Sequence, residues 1–159
     1  IFRASDSAST AAFYASVSLA CAAGGQLLTG LLRDRYGRTQ PLLVSSTGVV
    51  VSALCLAFST ESVPLLFVFG TALTTTAWAV STLVPALIAE VATKAEKNRL
   101  VGLGHFVWST AMVTGSLLGG WWVEIDPAIP FGFGAVSATI GTWCAWQLCR
   151  RLRNIETPD

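Results

Sequence analysis

The sequence predicts an all-α integral membrane protein, and its composition, the length of its apolar runs and the placement of its charges support this fold class. Hydrophobic residues make up 53% of the 159 residues, charged residues only 12%, and the mean hydropathy is +0.62. Soluble domains usually contain about 25% charged residues. A chain of this size cannot bury so much apolar surface in one core, so lipid is the better solvent for it.

Five apolar runs are long enough to cross a bilayer as helices. A helix rises about 1.5 Å per residue, so about 20 residues cross a hydrocarbon layer of about 30 Å. Helices are expected because the backbone finds no water to bond with in lipid. We expect spanning helices over residues 11–32, 41–60, 63–90, 100–123 and 129–149, followed by the start of a cytoplasmic tail or linker over 150–159.

The basic residues indicate how these helices are oriented. Nine of the ten fall in loops on one side of the predicted membrane, and only Arg3 falls on the other, with four carboxylates. By the positive-inside rule the basic loops are cytoplasmic, which places the N-terminus outside and the C-terminus in the cytoplasm. The nine residues are Arg33, Arg35, Arg38, Lys94, Lys97, Arg99, Arg150, Arg151 and Arg153.

Several classes of function are disfavoured by the same residues. The Lys and Arg residues form no continuous stripe, so we expect no nucleic-acid partner. Four cysteines in apolar runs and a single histidine offer no zinc spacing, so we expect no metal site and no cofactor. The predicted spans hold no cluster of Asp, Glu, His or Cys and the chain has no phosphate-binding loop motif, so we expect no enzyme.

The loop between the first two predicted helices has an unusual pattern of charges and glycines, formed by Gly30, Asp34, Arg35, Gly37 and Arg38. Gly30 would let a neighbouring helix approach closely, and Gly37 permits a tight turn with positive φ. Asp34 can pair with Arg38 or stabilise the start of a helix. A plain positive-inside loop, the alternative, explains the arginines but not the aspartate and the two glycines.

This loop resembles the cytoplasmic signature G-x-x-x-D-R-x-G-R of the major facilitator superfamily, which lies between the second and third helices of these transporters. Gln40 replaces the last basic position of the longer pattern. The resemblance implies a conformational latch that holds the two transporter halves together on the cytoplasmic side while the outer side is open. Glu90, at the end of the third predicted helix, is expected to join Arg35 or Arg38 in that network. An ordinary interfacial carboxylate is the alternative for Glu90.

A second pattern lies in the fourth predicted helix, over Ala111, Gly115, Ser116, Gly119 and Gly120. It resembles the fifth-helix signature G-x-x-x-G-P-x-x-G-G of facilitator antiporters, with alanine for the first glycine and serine for the proline. Small residues at every fourth position form a ridge that allows close helix packing, and generic packing of small residues is the alternative. The altered proline argues against the standard antiport mechanism.

Together these features suggest five helices of a six-helix facilitator-type half bundle that lacks its first helix. The resemblance implies secondary active or facilitated transport of a small organic solute by alternating access, as part of a longer chain that contains the second half. A proton is the candidate coupling ion, and the location is a plasma or organelle membrane. Related antiporters usually carry an Arg in the fourth of their six helices, which corresponds to the third predicted helix of this chain. No Lys or Arg occurs there, because none lies between Arg38 and Lys94. A non-transporting sensor or scaffold therefore stays open, as does the identity of the half.

The candidate solute or proton site consists of polar and aromatic residues expected near the bilayer midplane. His105 is the only histidine, and Trp108, Ser109 and Met112 share its helix face at spacings i, i+3, i+4 and i+7. A histidine can relay protons, although a structural histidine near the interface is the alternative. The full set is Gln26, Trp78, Ser81, His105, Trp108, Ser109 and Met112. The threonines at 74–76 were also candidates, but threonine hydroxyls readily bond to their own helix.

Overall fold

The computed structural model of the protein describes residues 6–37 and 39–156, the last five of these by their backbone alone. These residues form five α-helices, which confirms the predicted all-helical fold. The helices are α1 (Ala8–Tyr36), α2 (Thr39–Ala57), α3 (Val63–Val91), α4 (Lys94–Ile125) and α5 (Ile129–Glu156).

Two helices, α1 and α4, extend beyond their apolar runs to a capping residue, whereas α2 ends at Ala57, three residues before its predicted end. Helix α1 begins at Ala8 because the Ser7 Oγ accepts a hydrogen bond from the Thr10 N–H at 3.3 Å. It ends at Tyr36, where Gly37 adopts a φ of 77° that glycine tolerates without strain. Hydropathy predicted residues 11–32 for this helix, because it detects the part that lies in hydrocarbon and not the turns at the interface.

Helix α4 shows the same effect most clearly, since it begins at Lys94 and not at residue 100 as predicted. The Glu96 carboxylate accepts hydrogen bonds from the Thr93 hydroxyl at 2.6 Å and from the Thr93 N–H at 3.4 Å. Such a capping box satisfies backbone donors that the first turn of a helix leaves unpaired. The charged residues that follow Thr93 are therefore helical although they are too polar for a membrane span.

The helices α1 to α4 are each long and apolar enough to cross a membrane, which makes the chain an integral, multi-pass membrane protein. Helix α5 has 28 residues, which is sufficient length, but glycine, threonine and tryptophan lower its hydropathy. Five spans were predicted, and by length and composition four of the five described helices qualify.

Helix α3 lies at the centre of the bundle. It packs along α1 and α2, and α2 also packs along α5. A small cluster of buried side chains joins the three helices α2, α3 and α5, formed by Leu42, Leu83, Leu87 and Cys149. Helix α4, in contrast, makes few contacts with the other described helices and buries none of its side chains.

The direction of each helix follows from these contacts. Leu42 lies near the start of α2 and meets Leu87 and Cys149 near the ends of α3 and α5, so α2 runs antiparallel to both. An ion pair between Arg33 and Glu90 brings the end of α1 to the end of α3. All Lys and Arg side chains that the structure describes belong to this end of the bundle, which we call the basic end: Arg33, Arg35, Lys94, Lys97, Arg99, Arg150 and Arg151.

Candidate functional site

The interface between α1 and α3 carries the interactions that position most of the candidate residues. Far from the basic end, the Tyr14 and Phe67 rings meet edge to face with centroids 5.2 Å apart. One turn further along, the Ser18 and Thr71 hydroxyls share a hydrogen bond of 3.0 Å. Each successive α1 residue meets an α3 residue further along that helix, so the two helices run in the same direction.

Two glycines let α3 approach its neighbours closely at mid-height. A Cβ atom added to Gly25 of α1 would lie 2.5 Å from the Thr75 Cγ2, and one added to Gly48 of α2 would lie 2.7 Å from the Thr76 Cγ2. Both threonine hydroxyls donate to carbonyl oxygens of α3 itself, at 2.8 Å. The threonines therefore direct their methyl groups at neighbouring helices and use their hydroxyls within α3, as expected for packing residues.

Three of the seven candidate pocket residues come together beside this contact. The Gln26 Nε2 donates to the Trp78 carbonyl oxygen at 3.4 Å, and the Ser81 hydroxyl donates to the same oxygen at 2.7 Å. Trp78 lies at the middle of α3, and its side chain is 44% exposed. Both hydrogen bonds are made to the backbone of Trp78, and its exposed indole can contact the flat face of an organic solute.

At the basic end, the ion pair links Arg33 to Glu90, and the two side chains are 30% and 34% exposed. Glu90 was expected to join Arg35 or Arg38. The Arg35 guanidinium instead lies over the Tyr36 ring, 5.6 Å from its centroid, and Arg38 lies outside the described residues.

The other residues of the predicted latch belong to the exposed end of α1. Gly30 and Asp34 occupy its last two turns, and Gly37 ends the helix. A Cβ atom added to Gly30 would meet no atom of a neighbouring helix within 4 Å. The structure thus leaves the surface beside Gly30 open, and among the described residues the pair between Arg33 and Glu90 ties the latch region to α3.

Comparison with known proteins now identifies the family. A sequence model of the Major Facilitator Superfamily matches residues 3–157, nearly the whole chain. The chain belongs to this superfamily. It is also 29% identical over 113 residues to the tetracycline resistance protein, class H, of Pasteurella multocida. No solved structure gives a significant match.

The alignment with the tetracycline resistance protein covers 71% of this chain but only 28% of that protein, so the chain spans little more than a quarter of the relative's length. Membership of the facilitator superfamily supports membrane transport as the general function. It also confirms the resemblance on which the latch and glycine motifs were identified.

The glycine motif of this facilitator chain lies on a helix surface that no described residue covers. Added Cβ atoms at Gly115, Gly119 and Gly120 would meet no neighbouring atom within 4 Å, and Ala111 is exposed. The small residues therefore form a ridge on α4, but no described residue packs against it.

The remaining four candidate pocket residues also lie on α4, separate from Gln26 and Trp78. His105, Trp108, Ser109 and Met112 are all exposed. Among the hydrogen bonds, ion pairs and ring contacts of the described residues, none joins these four to α1 or α3. The structure thus divides the predicted site into an organised part at the interface of α1 and α3 and an exposed part on α4.

Sequence reasoning missed three features of this region. The first is the pairing of Arg33 with Glu90, because Arg33 lies at a variable position of the loop signature and only Arg35 or Arg38 was expected to pair with Glu90. The capping box did have a signal, because Thr93 and Glu96 match the pattern S/T-x-x-E/Q. Gly25 and Gly48 could be recognised only once the threonines facing them were known. Within the described residues, no three His, Cys, Asp or Glu side chains lie close enough to hold a metal ion.

Proposed function

We propose that this chain is part of a secondary transporter that moves a small organic solute across the membrane by alternating access. The observation that carries the proposal is the Arg33–Glu90 ion pair, which ties the signature-bearing end of α1 to the central helix α3. A transporter of this kind needs a contact that holds one conformation and can be released, and a partly exposed ion pair meets both needs. The similarity to a tetracycline resistance protein makes tetracycline the first solute to test.

In this proposal the basic end faces the cytoplasm, following the positive-inside rule, and α5 completes a five-helix set. The chain then corresponds to a six-helix half without its first helix, and a second half in the same longer chain forms the other wall of the solute cavity. Gly30, Asp34, Arg35, Gly37 and Arg38 act with the ion pair as the latch.

The solute contacts proposed for this half are the Trp78 indole, which is exposed at the middle of α3, and the Gln26 carboxamide, which is held against the Trp78 carbonyl oxygen. His105 is the proposed proton-carrying group of α4, since an imidazole ring can both accept and donate a proton. Trp108, Ser109 and Met112 share its face and would line the same side of the cavity.

The test is transport by the full-length protein that contains this chain, reconstituted into liposomes with an imposed pH gradient and given labelled tetracycline. The variants are Arg33→Gln, Glu90→Gln and the exchange Arg33→Glu with Glu90→Arg. A partly exposed ion pair contributes about 0.2–1 kcal/mol, so losing it should change flux by up to about fivefold. The exchange should restore most of the flux, because the pair is re-formed with opposite polarity.

Arg150→Gln is the matched control, since it removes the same charge from a residue that lies over Trp146 and outside the signature loop. It should leave flux unchanged. If both single variants transport like the unmodified protein, the ion pair is no latch. If the folded, unmodified protein shows no flux with tetracycline or with other organic cations and zwitterions, the sensor or scaffold function replaces transport. Two departures from the antiporter pattern favour that second function. Ser116 stands where the signature has proline, and α3, which corresponds to the fourth helix of the family, contains no Arg.

A further inference from the structure

An apolar cleft opens at the basic end of the bundle, between α3, α4 and α5 and the start of α2. Its volume is about 690 Å³. Val84 and Leu87 of α3, Leu100 of α4, and Cys144 and Leu148 of α5 form its walls. The cleft exists because α4 makes few contacts with the other helices and leaves a concave apolar surface beside them.

Two of the few polar side chains that line the cleft, Thr142 and Glu96, are already hydrogen-bonded. The Thr142 hydroxyl donates to a carbonyl oxygen of its own helix at 2.8 Å. The Glu96 carboxylate, at the mouth, accepts the two hydrogen bonds from Thr93. A polar solute would therefore find few free groups to bind, whereas a hydrocarbon chain would contact apolar side chains on every wall.

The depth of the cleft matches one leaflet of a bilayer. Its α5 wall runs from Ala138 to Leu148, which at about 1.5 Å per residue is about 15 Å. Half of a hydrocarbon layer of about 30 Å is also about 15 Å. An acyl chain that enters from the leaflet at the basic end would thus reach the floor of the cleft near the bilayer midplane.

Two basic residues extend the walls of the cleft toward the headgroup region. Lys97 lies one turn before Leu100 on α4, and Arg151 lies one turn after Leu148 on α5, so each continues the face that lines the cleft. Both side chains are exposed. These two cations outnumber the one carboxylate that lines the cleft, Glu96, so the mouth keeps a net positive charge that complements a negatively charged headgroup.

We propose that this cleft binds an anionic phospholipid, with one acyl chain between α3, α4 and α5 and the phosphate between Lys97 and Arg151. The lipid would fill the space that α4 leaves and would connect this weakly packed helix to the rest of the bundle. The proposal does not depend on the transported solute or on which end faces the cytoplasm.

Cys144 provides a direct reporter, because it lines the cleft and is exposed. Cys21 of α1 is equally exposed but lies outside the cleft, and it serves as the matched control. The purified protein in detergent, carrying either thiol as its only cysteine, is titrated with phosphatidylglycerol or with phosphatidylcholine. The rate of modification by N-ethylmaleimide is measured at each lipid concentration.

Phosphatidylglycerol should slow the modification of Cys144 at roughly thirtyfold lower concentration than phosphatidylcholine, the ratio expected for two cations beside an anionic headgroup. Cys21 should respond equally to both lipids. When Lys97 and Arg151 are both replaced by glutamine, phosphatidylglycerol and phosphatidylcholine should slow the modification of Cys144 at the same concentration.

A second pair of variants tests the apolar part of the site. Gly141 lines the cleft and Gly134 lies on the same helix outside it, and an added Cβ meets no neighbouring atom within 4 Å at either position. Gly141→Leu should abolish the effect of lipid on Cys144, while Gly134→Leu should preserve it. Equal protection of Cys144 by both lipids would overturn the proposal. Protection of Cys144 without added lipid would also overturn it, since another protein segment would then cover the cleft.

Discussion

The contact between Gly25 and Thr75 provides the sharpest prediction about how the bundle is held together. Alanine at Gly25 would place a methyl group 2.5 Å from the Thr75 Cγ2, whereas alanine at the neighbouring Gly24 would meet nothing within 4 Å. Carbon atoms prefer separations of about 3.5–4.0 Å, so α1 and α3 must separate by about 1 Å. Thr75 cannot turn its methyl group away easily, because its β-branched side chain is held by the hydroxyl's bond within α3.

The size of the effect follows from comparing the two substitutions. Replacing glycine by alanine inside a helix gains about 0.5–1 kcal/mol at either position, so this term cancels between Gly24→Ala and Gly25→Ala. Overpacking of a tight contact costs about 1–3 kcal/mol and applies only to Gly25→Ala. The free energy of unfolding should therefore be lower for Gly25→Ala than for Gly24→Ala by about 1–3 kcal/mol.

The assay is unfolding by sodium dodecyl sulfate in mixed micelles, followed by far-ultraviolet circular dichroism. Thr75→Ser is the rescuing change, because serine lacks the Cγ2 but keeps the hydroxyl, and the next atoms of Thr75 lie 3.8 Å away at ordinary contact distance. The double variant Gly25→Ala with Thr75→Ser should recover most of the lost stability. Equal stability of the two alanine variants, or no recovery in the double variant, would refute the close approach of α1 and α3.

Two further predictions concern α4. Thr93→Ala removes the hydroxyl's hydrogen bond to Glu96 but keeps the backbone N–H bond, and it should lower helix stability by about 0.5–2 kcal/mol. The loss should appear as faster amide hydrogen exchange in the first turn of α4, whereas Glu96→Gln should exchange at nearly the original rate. His105→Ala should remove the pH dependence of solute flux in the full-length protein without abolishing flux, because the variant lacks the proposed proton-carrying group of α4. Flux that keeps its pH dependence in this variant would leave His105 with a structural role alone.

The sequence predicted the existence of all five helices because lipid imposes a simple rule, namely that long apolar segments must satisfy their backbone within a helix. It predicted their ends less well, since a helix continues into the interface until a cap stops it. The caps were nevertheless readable. Ser7 before α1 and the Thr93 to Glu96 pattern before α4 are local signals that do not depend on the rest of the fold.

The partner of Glu90 could not be read from the sequence in the same way. Successive residues of a helix point about 100° apart, so Arg33 and Arg35 project in directions about 160° apart, on nearly opposite sides of α1. Which of them meets Glu90 depends on the rotation of α1 against α3, and that rotation is set by the contacts along the interface, including Gly25 against Thr75 and Ser18 against Thr71. A motif identifies the charged residues of a loop. The packing of α1 against α3 determines that Arg33, and not Arg35, pairs with Glu90.

The glycines also show that a sequence pattern does not identify the residues that make the packing contacts. On α4, Gly115 and Gly119 form the regular spacing that predicts close helix packing, yet no described residue meets them. Gly25 and Gly48 belong to no such repeat, and they are the ones that α3 approaches with threonine methyl groups. A glycine allows a neighbouring helix to approach closely. A close contact forms only where that helix places a side chain of matching size at the same height. The ridge on α4 therefore has a shape suited to another helix, while the contacts that hold the described bundle together depend on isolated pairs that no spacing rule detects.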